Sequence, residues 1–72
     1  MKIPAFKTIA EFEKWHEGLD PEAHAIVTET LDDEVHDLKS EEASEINNQG
    51  VGRQASYIGL KRVQEILPDA LS

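Results

Sequence analysis

The chain has 72 residues, no cysteine, and a net charge of −8 from 15 acids against seven Lys and Arg. That length makes room for one small domain, residues 1–72, and the absence of Cys excludes disulfides, thiolate zinc sites and thiol nucleophiles. Between Glu11 and Glu45 stand 13 acids against only Lys14 and Lys39, which disfavours direct binding to nucleic acid or anionic lipid, since both need clustered Lys and Arg.

The first predicted element is a short helix over 9–17. Thr8 followed three residues later by Glu11 is a capping-box pattern. Ile9, Phe12, Trp15 and Leu19 then recur at helical spacing and make one apolar stripe. Pro4 keeps the preceding segment out of helix. Gly18 is the expected stop, as a left-handed cap.

A second helix begins at "DPEAHAIV". Asp20 is a good N-cap and Pro21 suits the first helical position, where its missing N–H costs nothing. The apolar stripe is Val27, Leu31, Val35 and Leu38, widened at its start by Ala23 and Ile26. Past Leu38 the stripe fails, because its next position is Glu42. Two readings follow. One is a single helix from Pro21 to about Asn48, about 42 Å long. The other starts a fresh helix at Ser40. The continuous helix is preferred, because nothing between Leu38 and Ile46 is Gly or Pro and the residues there are acceptable helix formers.

"GVGRQASYIGLKRVQEILP" predicts a third helix over about 52–67, ended by Pro68. Ala55, Gly59, Val63 and Ile66 share one face. A mid-helix Gly weakens a helix by up to about 1 kcal/mol against Ala, so Gly59 is expected where another helix comes close. Gly50 and Gly52 make a short connection, so the second and third helices are expected to be antiparallel neighbours. No strand pattern occurs.

The predicted fold is therefore all-α: a short N-terminal helix on a long helix–turn–helix hairpin. A chain this short buries only roughly 60% of its unfolded surface. A long second helix would project from it. A symmetric homodimer is the expected completion, with Leu38, Ile46, Val51, Ile58 and Gly59 at the interface.

The most conspicuous surface feature lies in "ETLDDEVHDLKSEEASE". Glu29, Asp33, Asp37, Glu41 and Glu45 are spaced by four and would form one ridge about 24 Å long on a helix. Like charges at that spacing weaken a helix by about 0.2–0.5 kcal/mol per pair. The ridge is either a solvated face or a surface awaiting a basic partner. The functional reading is a non-enzymatic module that binds a basic protein surface, as a DNA mimic or an antagonist of a nucleic-acid-binding protein would. The alternative is a structural assembly protein whose charge serves only solubility.

Other candidate chemistry is weaker. His36 shares a face with Asp32 and Asp33 at spacings able to share a metal, but the other helices offer few further ligands. Glu29-x-x-Asp32 and Glu42-x-x-Glu45 are similar to the paired acidic motifs of helical nucleotide pyrophosphohydrolases, which hold Mg²⁺. Their order here is reversed, and no Lys or Arg follows at a phosphate-binding place. A metal-dependent nucleotide hydrolase is thus the third functional class, and no cofactor is expected. His16 and His24 are expected to edge the core, and Trp15 to anchor it. Ser44 to Gln54, polar and rich in amides, is expected to end a helix and turn. No apolar run approaches the roughly 18 residues of a membrane span, and "MKIPAFKTIAEF" lacks a signal peptide's apolar core. The expected location is cytoplasmic.

Overall fold

The computed structural model describes residues 3–38 and 41–72, and among them every regular element is helical. Residues 3–8 form no regular element and lead into α1 (Ile9–Glu17). Thr8 is its N-cap, accepting from the Glu11 N–H at 3.2 Å. Only half of the capping box forms as expected. The Glu11 carboxylate takes the Thr8 hydroxyl proton at 3.4 Å instead of the Thr8 backbone N–H. Gly18 follows at φ −82°, an ordinary right-handed conformation and not the left-handed cap expected of it.

α2 (Pro21–Leu38) starts where Asp20 caps the Ala23 N–H at 2.8 Å. Its buried residues are Ala23, Val27, Leu31 and Val35. Leu38, expected to continue that column, is 53% exposed at the helix end.

The expected continuous helix to Asn48 is not formed. α2 ends at Leu38, Glu41 and Glu42 lie in a turn, and a separate five-residue helix α3 (Ala43–Asn47) follows. The competing fresh start at Ser40 falls outside the described residues. The physical reason for the break is apolar burial. Continuing the helix would leave Ala43 and Ile46 far from the core. Folding back buries both against Val35.

The expected third helix is also two. α4 (Val51–Ile58) and α5 (Leu60–Ala70) meet at Gly59, which has φ +97°. That conformation suits glycine and strains any residue with a Cβ. No atom lies within 4 Å of the place a Gly59 Cβ would take, so the close helix approach expected there is absent. A crowded glycine occurs instead at Gly52, where a Cβ would run into the Glu13 side-chain carboxylate of α1. Gly50, at φ +95°, opens α4. Pro68 does not end α5 but sits inside its last turns. So near the helix end it removes one backbone donor without stopping the chain. Among the described residues the three expected helices are thus five, and α3, α4 and α5 all pack on α2.

Two apolar clusters fill the interior. Phe6, Phe12, Val27, Leu31, Ala55, Val63 and Leu67 make the larger one, and Val35, Ala43 and Ile46 the smaller. Ile58 packs against both and joins them. Phe6 meets Phe12 edge to face at 5.4 Å and Trp15 at 5.2 Å, so the segment before α1 is pinned on that helix by its aromatic residue. Gln64 adds a hydrogen bond from Nε2 to the Phe6 carbonyl at 3.1 Å. The radius of gyration is 11.2 Å, the size of a compact chain of this length.

The two glycines separate backbone from packing effects. Gly59→Ala should cost about 1–3 kcal/mol although it meets no neighbour, because its backbone conformation is strained for alanine. Gly18→Ala should stabilise by about 0.4–1 kcal/mol, since its right-handed conformation suits alanine. Urea unfolding of both variants checks this. Equal effects would contradict the assignment.

Candidate functional site: the acidic face of α2

The inner column of α2 is committed to the core, and three of its acids stand away from it. Glu29, Asp33 and Asp37 are exposed there, four residues apart. Glu41 is exposed in the turn after α2, and Glu45 is exposed on α3. The break at Leu38 therefore divides the expected five-residue ridge. Three acids run along one helix for about 12 Å, and two stand on separate elements.

None of the five makes a side-chain ion pair among the described residues. The nearby base Arg62 goes elsewhere. Its Nε donates to Glu34 at 2.9 Å, and Nη1 donates to Glu65 at 3.4 Å. Glu34 is only 14% exposed and holds the guanidinium above its usual pKa. Asp32 is likewise used internally. It accepts from the Gln54 amide, which also donates to Asn47 Oδ1 at 3.0 Å. Gln54 is buried, and its Oε1 has no partner among the described residues. The amide-rich Ser44 to Gln54 stretch is thus partly interior: Asn47 and Gln54 tie α3 and α4 to α2.

This arrangement separates candidates that the sequence alone left together. Glu29 and Asp32 lie on α2, but Glu42 is in the turn and Glu45 on α3, so the two acidic pairs are not presented by one helix. Among the described residues no three His, Asp or Glu side chains converge as metal ligands, the Asp32, Asp33 and His36 group included.

One of several concave surfaces is a groove of about 400 Å³ between α1 and the start of α4, lined by residues that include Glu13, His16, Glu17, Gln49, Arg53 and Ser56. Gln49, Arg53 and Ser56 also line an adjoining hollow of about 300 Å³, beside Glu42, Glu45 and Tyr57. The Glu13 carboxylate lies at the first turn of α4, a helix with no side-chain cap of its own. Negative charge there complements the helix dipole. Of the expected interface residues, Ile46 is buried in the chain's own core, and Val51 and Ile58 are half-buried against it. Gly59 is the hinge between α4 and α5.

The groove wall holds an arrangement that residue spacing did not reveal. His16 is 4% exposed, and its ring stacks on His24 at 3.8 Å between centroids and on Phe12 at 6.0 Å. Burial is the largest effect and lowers the His16 pKa; the hydrogen bond to the His24 carbonyl raises it, the His24 ring lowers it, and Glu17 raises it. No described helix is long and apolar enough to cross a membrane. Comparison with known protein families, with curated proteins and with solved structures finds no match.

The two kinds of acid should respond oppositely to neutralisation. Glu29→Gln with Asp33→Asn removes unpaired repulsion and should stabilise by about 0.2–0.5 kcal/mol per like-charge pair at low salt. The gain should shrink as salt screens the charges. Glu34→Gln breaks the Arg62 pair and should destabilise slightly, less so at high salt. Thermal melts at low and high salt check both signs.

Proposed function

We propose that the protein is a non-enzymatic binding module that engages a basic protein surface through Glu29, Asp33 and Asp37 on α2, with Glu41 and Glu45 beside them. One observation carries the reading. These acids stay exposed and find no ion-pair partner among the described residues, while Arg62 is bound to Glu34. Fixed, unneutralised charge on a rigid helix is suited to steering and orienting an oppositely charged partner. Three acids in about 12 Å match only about three or four phosphates of a DNA strand. A basic protein patch of modest size fits this better than a long nucleic-acid groove. A reducing, cytoplasmic setting is part of the same reading.

A second reading is a homodimer through Leu38, carried by the 53% exposure of that side chain at the end of the α2 inner column. Its original ground, a projecting helix, is gone, since the chain folds back after Leu38. Sedimentation equilibrium at tens of micromolar separates the readings. An apolar dimer persists at high salt, whereas charge-driven binding does not.

The decisive comparison uses two variants with equal loss of charge. One carries Asp33→Asn, Asp37→Asn and Glu41→Gln. The other carries Glu17→Gln, Glu22→Gln and Asp69→Asn, also exposed. Basic proteins retained by the wild type at low salt should release steeply with salt, bind the second variant and fail to bind the first. Equal binding by both variants would overturn the proposal, because net charge alone would then account for it.

A further inference from the structure

We propose that the stacked His16–His24 pair is an acid-released latch that holds α1 onto α2. The pair joins the two helices across the tight turn at Gly18 to Asp20. His16 Nε2 lies 3.3 Å from both the His24 carbonyl oxygen and Thr28 Oγ1. The Thr28 hydroxyl already donates to that carbonyl at 2.9 Å. A carbonyl only accepts, and the one hydroxyl proton is used, so Nε2 carries hydrogen and donates. The neutral ring then keeps its lone pair on Nδ1. Acid adds a proton there and makes a buried cation. The new charge faces an imidazole 3.8 Å away and an apolar ring, Phe12, on the stacked side.

The charged groups around His16 decide how far it resists protonation. On α1 these are Glu17, which favours the charged form, and Glu13, which shares the groove wall. On α2 the His24 ring opposes it, whereas the bond to the His24 carbonyl, a larger effect, favours it. From α4, Arg53 lines the same groove with like charge. The turn before α4 contributes only neutral Gln49. Burial is the largest effect and disfavours the charged ring. The folded pKa is thus lowered from 6.5. Between that lowered value and 6.5 the unfolded chain holds more protons than the folded one. Stability is full above this window and falls as pH drops through it. For one proton the folding constant falls by up to about tenfold per pH unit.

Trp15, the single Trp, sits on α1 against Phe6 and reports α1 docking. The test follows Trp15 emission, urea stability and the His16 imidazole resonances from about pH 7.5 to about pH 5, above the range where ordinary carboxylates dominate. The wild type should lose stability with acid, with Trp15 emission moving to longer wavelength. His24→Gln keeps the accepting carbonyl but removes the stacked ring, so it should raise the His16 titration midpoint and flatten the slope. His16→Gln, where it folds, should remove the slope. A wild-type His16 midpoint at or above 6.5, or an unchanged slope in His24→Gln, would overturn the proposal.

Discussion

The inner column of α2 is the constraint on which the rest depends. Ala23, Val27, Leu31 and Val35 are four residues apart, so each step advances about 40° beyond a full turn. The column therefore winds round the helix. Val27 and Leu31 join the cluster that holds Phe6, Phe12 and the α5 residues Val63 and Leu67, with Trp15 packed against it. The column's last residue, Val35, meets Ala43 and Ile46. One helix thus collects both clusters, and α1, α3, α4 and α5 all pack on it. Fully burying a large apolar side chain contributes about 1.5–3 kcal/mol, against about 0.2–0.5 kcal/mol lost per exposed like-charge pair. That difference explains how the outer face of α2 carries unpaired acids without unfolding the helix.

Two breaks let so short a chain close round that column. After Leu38 the next position in the stripe is Glu42, and the chain folds back to bring Ala43 and Ile46 inside. At Gly59 the positive φ swings α5 away from the α4 axis. Val63 and Leu67 then reach the larger cluster while Ile58 bridges to the smaller one. The polar bonds of Gln54 to Asp32 and Asn47 lie between α2, α3 and α4 and fix how these meet. The Arg62–Glu34 pair does the same at the surface between α5 and α2.

Much of this was legible in the residues. Thr8 and Glu11 marked the start of α1, Asp20 and Pro21 marked α2, and apolar spacing named its buried column. The end of α2 was legible only as a failing stripe. Helix propensity argued the other way, and burial of Ala43 and Ile46 outweighed it. Gly59 was visible as an anomaly, but a glycine in a helix-like pattern signals either close packing or a positive φ, and spacing does not decide between them. Gly18 looked like a left-handed cap because glycine is common there, yet its backbone stays right-handed. The exposed acids were found from spacing alone, whereas their division between α2, the turn and α3 depended on the break. The His16–His24 stack left no local signal. It forms only because α1 folds back on α2, which joins residues eight apart across a turn. Gln54 was equally hidden, since a buried amide with partners on two other helices is a tertiary feature.

Side-by-side urea unfolding of Leu31→Ala and Leu38→Ala tests the central role of the inner column most directly. The two leucines share one stripe in the sequence, but Leu31 is fully buried and Leu38 is 53% exposed. Leu31→Ala should lose about 2–5 kcal/mol by leaving a cavity where α2 meets its neighbours. Leu38→Ala should stay within about 0.5 kcal/mol of the wild type. Similar losses at both positions would contradict the account, because the column would then extend through Leu38.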